Sequence, residues 1–238
     1  MRKPFNVDSL GLDSFNLLVY GLWNTGKTHF IGDFLKYESQ FGPVRFLHIE
    51  GEDNIQTIYS SGIGDNGETV ETIDDFKSFV AEYSKKPLVA LGVDSLIALS
   101  VKVMQSKVGD RLPSIKSDGN EWGEVHLLMA NVVSSLRKCA KYVVCTSPAD
   151  RESDPITGEK YLAPMLPGRQ SREIIGKFNF VGYMSTTALG SKIRRTLSFK
   201  PERGISTRWS GRNVNPGELV MPDGFGGWEA FKKAALGE

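Results

Sequence analysis

Residues 21–28 read Gly-Leu-Trp-Asn-Thr-Gly-Lys-Thr, the most informative stretch of the sequence. It matches the pattern G-x-x-x-x-G-K-[ST], in which backbone N–H groups and the start of the next helix surround phosphate oxygens. The pattern works only between a buried strand and a helix. Apolar residues 16–20 precede it and residues 27–36 resemble the start of a helix, so the sequence predicts a strand–loop–helix unit.

The residue types in the loop predict a nucleoside triphosphate with magnesium, ATP and Mg²⁺, as the ligands. Gly21 and Gly26 allow backbone angles and close approaches that a Cβ would block. Lys27 is expected to reach the β and γ phosphates and Thr28 to hold magnesium. Trp23 either stacks on a base or packs under the loop, and packing is the preferred interpretation. The predicted binding set is Gly21, Leu22, Trp23, Asn24, Thr25, Gly26, Lys27, Thr28 and His29.

Strands and helices are predicted to alternate downstream of the loop. Three apolar runs predict buried strands, at residues 44–49, 88–93 and 142–147. Helical spacing of apolar residues falls between them, over residues 74–84, 95–107 and 122–141. Residues 60–72 and 109–120 are polar or glycine-rich and are expected to form loops. This alternation predicts a mostly parallel sheet with helices on both faces.

The pattern changes after residue 147. Residues 148–170 are polar and rich in Pro and Gly, and a hairpin turning at residues 154–158 is one interpretation. A short helix is expected at residues 171–176 and a terminal helix at 228–236. Later strands are expected at residues 178–187, 192–199 and 205–209. We expect these to extend the sheet in antiparallel fashion, within a single α/β domain over residues 1–238.

Charge is distributed unevenly along a chain whose net charge is only +1. Residues 50–82 carry nine acidic and one basic side chain, whereas residues 192–212 carry seven basic and one acidic. The small net charge argues against a polyanion binder that acts through bulk charge. The two segments are either solvated faces of opposite sign, or the basic one meets nucleic acid, a nucleotide or a neighbour's acidic face.

Cysteine usage and hydropathy bear on the compartment. Cys139 and Cys145 lie in apolar surroundings without metal-ligand spacing, which predicts buried free thiols in a reducing compartment. No apolar run approaches membrane-spanning length and the N-terminus lacks a signal-peptide core. A cytoplasmic protein is therefore expected.

Polar side chains at predicted strand ends are the further candidates for the site. Asp94 closes a central strand, where it would anchor magnesium, although Asp-Ser can also simply cap a helix. Glu50 and Glu52 follow the second strand, and one of them could orient the attacking water. Thr146 and Ser147 end the fourth strand, where they could sense the γ-phosphate.

These segments resemble RecA-like ATPases, and more closely the small phage-encoded AAA-family nucleotide-binding proteins built on a bare RecA core. Some of those are single-strand annealing or recombination proteins. The resemblance extends over about residues 14–210, before a tail with a short helix at 211–238. It is carried by residues 18–28, 46–52, 91–95, 143–147 and 166–169.

The resemblance implies roles by position. Glu52 matches the catalytic glutamate that activates water, ahead of Glu50, and Ser147 falls at the γ-phosphate sensor. Residues 148–170 and 109–120 occupy the places of DNA-binding loops. Single-stranded DNA is thus an implied partner, and the compartment would be the bacterial host cytoplasm if the chain is phage-encoded.

RecA-like proteins act as rings or filaments, so the resemblance also implies a homo-oligomer with active sites between subunits. A neighbour's cation then meets the γ-phosphate, with Arg208 and Arg212 favoured here. The basic side chains considered are Arg194, Arg195, Lys200, Arg203, Arg208 and Arg212. Two alternatives stay open: a helicase-loader-like or packaging accessory ATPase without direct DNA binding, and a small-molecule phosphotransferase.

Overall fold

The first strands and helices of the molecule alternate along the chain. They are β1 (Phe15–Gly21), α1 (Lys27–Glu38), β2 (Val44–Ile49), β3 (Gly67–Val70), α2 (Ile73–Tyr83), β4 (Leu88–Asp94) and α3 (Leu96–Val108). This computed structural model describes residues 14–49, 66–110, 115–116, 119–153, 157–166, 170–190, 192–202, 204–211, 213–223 and 226–237.

The second part of the chain is richer in strands. Its elements are β5 (Ile115–Lys116), β6 (Gly119–Asn120), α4 (Glu121–Cys139), β7 (Ala140–Ser153), β8 (Lys160–Pro164), α5 (Gln170–Ile175), β9 (Phe180–Leu189), β10 (Lys192–Ser198), β11 (Arg208–Trp209), β12 (Glu218–Met221) and α6 (Gly227–Leu236). In the described residues no helix is long and apolar enough to cross a membrane.

One large sheet organises these elements, in the order β12-β10-β9-β1-β7-β4-β2-β3. The strands from β9 to β3 run parallel, whereas β10 and β12 are antiparallel additions at one edge. This confirms the predicted α/β class and the antiparallel extension. Because β7 lies between β1 and β4, the ends of three neighbouring parallel strands meet beside the phosphate loop.

Both faces of the parallel strands β1, β2 and β4 are buried, which explains their continuous apolar runs. Successive residues point to opposite faces, so Val19 packs in one core and Leu18 in the other. The face that contains Val19 packs against α1 and α6, and the opposite face packs against α2, α3, α4 and α5. The predicted arrangement of helices on both faces is therefore confirmed.

The terminal helix α6 is bound to α1 by two buried carboxylates. Asp33 accepts hydrogen bonds from the backbone N–H of Gly226 and Trp228, at 2.8 and 2.7 Å, and so caps the start of α6. Glu38 accepts from the Trp228 indole at 2.7 Å and from the Lys232 ammonium at 3.0 Å. The helix that carries the phosphate loop is thus braced by the end of the chain.

The structure differs from the sequence prediction mainly at the sheet edges. Strand β3 lies inside the predicted loop at residues 60–72, and β12 was not predicted. Both are short edge strands with one fully buried residue each, Val70 and Met221, so they lack a buried apolar run. The hairpin interpretation of residues 148–170 is confirmed, because β7 continues to Ser153 and pairs with β8.

Candidate nucleotide-binding site

The phosphate loop connects β1 to α1 in a conformation that requires its glycines. Gly26 has φ of 96°, a left-handed conformation that residues with a Cβ rarely adopt. A Cβ on Gly21 would collide with the backbone carbonyl of Met184 on β9. The two glycines therefore act as the sequence predicts, one through its backbone angle and the other through a close approach.

The first turn of α1 is open to an anion. Gly26 is its N-cap residue and provides no side-chain cap, and the first helical hydrogen bond runs from Phe30 N–H to Gly26 O. Amide groups left uncapped at a helix start, together with the helix dipole, attract phosphate. This loop end therefore fits a phosphate group.

The Lys27 ammonium is held at the loop by backbone carbonyl groups. Its Nζ donates to Gly21 O at 3.1 Å and to Leu22 O at 2.8 Å. The hydroxyl of Thr25, a buried residue, donates to the same Leu22 oxygen at 3.0 Å. The cation that is expected to contact the β and γ phosphates is thus already positioned over the loop.

Asp94 lies at the centre of the polar cluster that faces the loop. Its Oδ2 accepts a 2.6 Å hydrogen bond from the Thr28 hydroxyl, and its Oδ1 accepts one from the Thr146 hydroxyl. Asp94 and Thr146 are both buried. Mg²⁺ takes oxygen ligands, and the Asp94 carboxylate and the Thr28 hydroxyl lie in contact beside the phosphate cradle. These residues therefore fit a magnesium ion bound together with a triphosphate.

The residue that caps the helix after β4 is Ser95, the neighbour of Asp94, and not Asp94 itself. Ser95 is the N-cap residue of α3, and its hydroxyl accepts from Ala98 N–H at 3.5 Å. The Asp94 carboxylate instead turns towards Thr28 and Thr146. Capping and metal binding can thus be carried by two adjacent residues.

The loop and this cluster enclose a cavity of about 240 Å³. Pockets that hold a whole small ligand usually measure ~300–1,000 Å³. The cavity therefore suits the phosphates and their metal better than an entire nucleotide. It is lined by Trp23, Asn24, Thr25, Gly26, Lys27, Thr28, His29, Asp94, Ser95, Thr146 and Pro148.

Trp23 does not pack under the loop, so the preferred interpretation of this residue was wrong. Its side chain is 68% exposed and that of Leu22 is 53% exposed. The space beneath the loop is taken by Thr25, whose hydroxyl bonds back to Leu22 O. Both apolar side chains are therefore largely exposed to solvent, and Trp23 lines the cavity.

Thr146 and Ser147, both candidates for the γ-phosphate sensor, point to opposite faces of β7. Ser147 is buried, and its hydroxyl donates to Pro148 O at 3.1 Å and to Met165 O at 2.9 Å. Thr146 faces the loop and bonds to Asp94. The geometry thus places Thr146 in the cavity lining, while a sensing role for Ser147 stays a prediction.

The remaining predicted residues either lie outside the described part of the chain or take other positions in it. Glu52, the candidate base, lies outside the described residues, as do Glu50 and Arg212. Arg208 donates to Gly176 O at 3.0 Å, near the start of β9 and away from the phosphate loop. On the sequence alone, Arg195 is named only as a candidate for the cation that a neighbouring subunit supplies. In the structure it lies instead against Gly26 of its own chain. The position of Arg195 depends on the pairing of β9 with β10, so it could not be predicted without knowledge of that pairing.

This strand–loop–helix site and its central carboxylate define a phosphate-loop ATPase of the RecA-like α/β class. A sequence model of the AAA domain family AAA_24 matches residues 14–209, so the chain belongs to that family. A search of curated proteins found no match.

The fold has relatives among solved structures. One is the crystal structure of a KaiC-like protein from the hyperthermophilic archaeon Pyrococcus horikoshii, which is similar with a TM-score of 0.50 and 17% sequence identity. The similarity covers 87% of this chain and 89% of that one. At this level of identity the likeness establishes the shared fold.

Proposed function

We propose that this ATPase domain binds ATP with Mg²⁺ at its phosphate loop and hydrolyses it while acting on single-stranded DNA. The setting would be recombination, annealing or replication of the phage type. One observation carries the nucleotide part, namely the Asp94 carboxylate held between the hydroxyls of Thr28 and Thr146 beside an uncapped helix start.

The chain's own groups supply the binding chemistry. Lys27 exchanges its contacts with Gly21 O and Leu22 O for phosphate oxygens when the nucleotide enters. Magnesium, when bound with ATP, neutralises charge on the β and γ phosphates. Thr28 and Asp94 provide the oxygens around it, and Glu52 is the proposed base for the attacking water.

The DNA part of the proposal is supported by exposed cations late in the chain. Single strands are bound by positive grooves that follow the backbone and by aromatic side chains on which bases stack. Four described members of the basic segment are exposed, Lys192, Arg194, Lys200 and Arg208. Arg151 and Lys160 are also exposed on the β7–β8 hairpin. The resemblance to RecA-like ATPases implies a DNA-binding loop in this part of the chain.

We also propose that the chain forms a homo-oligomeric ring or filament with active sites between subunits. Exposed apolar side chains in two different parts of the chain support this. Leu22 and Trp23 project at the phosphate loop, and Leu189 and Ile193, each 54% exposed, project near the β9–β10 turn. Two different apolar surfaces suit a head-to-tail contact, which generates rings or filaments. Such a contact would let a cation such as Arg194, Arg208 or Arg212 reach a neighbour's nucleotide.

Charge on the hairpin favours a second candidate function. Asp150 and Glu159 are exposed beside Arg151 and Lys160, so the hairpin is not uniformly basic. Acidic groups weaken binding to a phosphate backbone. An assembly, loader or packaging ATPase without direct DNA contact would accommodate this mixture.

A single assay separates the two candidates. ATP hydrolysis is measured with and without single-stranded DNA for the wild-type chain, for Lys27→Ala and for Lys138→Ala. Lys138 is an exposed lysine at the far end of α4, so its loss serves as the matched control. The first function predicts DNA-stimulated turnover that Lys27→Ala abolishes and Lys138→Ala retains. Turnover indifferent to DNA, with no DNA retained on a native gel, would favour the accessory ATPase.

A further inference from the structure

We propose that Arg195 binds the nucleotide in its own subunit, at the α-phosphate, on the side of the loop opposite the metal. This rests on the proposed nucleotide-binding function and deepens it. Arg195 lies on β10 and pairs with Thr186 of β9, two residues beyond the Met184 that pairs with Gly21. The pairing places the arginine directly beside the start of α1.

The arginine side chain crosses the open face of the loop glycine. An ideal Cβ built on Gly26 would lie 3.0 Å from both Cδ and Nε of Arg195, and 4.0 Å from its Cζ. Since Gly26 is the N-cap residue of α1, the guanidinium is adjacent to the amide groups that attract phosphate. A positive group and an anion cradle are thus assembled from one chain.

The guanidinium also has hydrogen-bonding capacity left over. Its Nε is buried and has no hydrogen-bond partner in the described part of the chain. The nearby Asp33 carboxylate is occupied by the backbone N–H groups of Gly226 and Trp228. A buried donor on a charged group is costly to leave unpaired, so its presence here favours an acceptor that arrives with a ligand.

The position of Arg195 relative to the Asp94 cluster indicates which part of the nucleotide the arginine contacts. A small second cavity contains Arg195, Met184, Met221 and Pro222, and it shares Gly26 and His29 with the phosphate cavity. Asp94 lies two strands from β1 on one side, and Arg195 lies two strands from β1 on the other.

A magnesium ion bound with the triphosphate would be held on the Asp94 side, where it would neutralise charge on the β and γ phosphates. The phosphate cavity is too small for a whole nucleotide. The nucleoside part of the ligand must therefore lie outside the phosphate cavity. The phosphate cavity and the second cavity share Gly26 and His29, so a nucleotide that extends past these two residues comes close to Arg195. A guanidinium there meets the α-phosphate, which ADP and ATP both possess.

The test is a calorimetric titration with Mg-ADP and with a non-hydrolysable ATP analogue. The variants are Arg195→Met, which keeps the aliphatic stem, and Arg137→Met, a matched loss of an exposed arginine at the end of α4. Arg195→Met is expected to weaken the binding of both nucleotides by a similar factor, about tenfold or more. Arg137→Met is expected to leave both affinities unchanged. Circular dichroism and thermal melting check that the variants fold.

Unchanged nucleotide affinities in a folded Arg195→Met variant would overturn the proposal. A loss of affinity confined to the ATP analogue would also overturn it, because that result would place the arginine at the γ-phosphate. Failure of the wild-type chain to bind either nucleotide would instead refute the proposed function itself. If Arg195→Met does not fold, Arg195→Lys is titrated in its place. A lysine keeps the charge but not the planar fork, so weaker binding of both nucleotides is again expected. Wild-type affinity in this variant would overturn the proposal.

Discussion

The Thr28 hydroxyl donates a 2.6 Å hydrogen bond to the Asp94 carboxylate, which joins the phosphate-loop helix to the end of a strand 66 residues later. Thr146 binds the other carboxylate oxygen from the strand between them. Three separate segments are thereby held in one polar cluster before any ligand enters.

Replacing Gly26 by alanine is expected to remove nucleotide binding as well as stability. The residue has φ of 96°, and a Cβ would press on Arg195 at 3.0 Å. We expect a loss of about 1–3 kcal/mol in the free energy of unfolding, measured by urea denaturation, with ADP binding lost in parallel.

The control for this change is Gly158→Ala. Gly158 also has positive φ, of 71°, but an added Cβ meets no atom of the described residues within 4 Å. That variant should lose about 1–2 kcal/mol from the backbone alone and bind ADP normally. Equal effects of the two variants on ADP affinity would contradict the role given to Gly26.

The neighbouring hydroxyls on β7 are expected to behave differently. Thr146→Val removes the donor to Asp94, so it should lower Mg²⁺-dependent ATP turnover and cost about 1–3 kcal/mol of stability. Ser147→Ala removes bonds to Pro148 O and Met165 O, so its main effect should be on stability. Steady-state turnover and urea denaturation of both variants test this. A larger loss of turnover in Ser147→Ala would support the sensor role predicted from the sequence.

The buried pair between α1 and α6 is expected to control the docking of the terminal helix. Lys232→Met leaves the Glu38 carboxylate, which is 1% exposed, with the Trp228 indole but without the ammonium group. Breaking one side of such a pair costs about 3–5 kcal/mol. A chain of this length should then melt about 2–4 °C lower for each kcal/mol lost. Lys233→Met removes an exposed lysine from the same helix and should leave the melting temperature nearly unchanged.

The two cysteines give a pH dependence with a definite sign. Burial raises the pKa of the Cys139 thiol from 9.0 to about 11 and raises that of Cys145 as well. The folded state therefore keeps protons that the unfolded state loses above pH 9, so the free energy of unfolding should fall as pH rises from 9 to 11. Both thiols should resist a thiol reagent at pH 8 until the protein unfolds. Rapid reaction in the native state would contradict the burial described for them.

Features that depend on contiguous residues were predictable from the sequence. The phosphate loop is one unbroken motif, and Asp94 ends an apolar run, so both were recognised without knowledge of the fold. The edge strands β3 and β12 were missed because few of their residues are buried.

Features that depend on register were not predictable in the same way. Only the pairing of β1 with β7 decides that Thr146 faces the loop and Ser147 does not. Arg195 reaches Gly26 through the addition of β10 to β9, which a single sequence does not indicate. Glu52 lies outside the described residues, so its role as the base stays a prediction.

We propose that Asp94 completes a magnesium–triphosphate site with the loop. ATP turnover of Asp94→Asn across a Mg²⁺ titration, beside ADP binding measured in excess EDTA, tests this proposal. Asparagine keeps the shape of the side chain and removes its charge. We predict that turnover falls by about 100-fold or more while metal-free ADP binding persists. Wild-type turnover and an unchanged Mg²⁺ dependence in Asp94→Asn would contradict this account of the site.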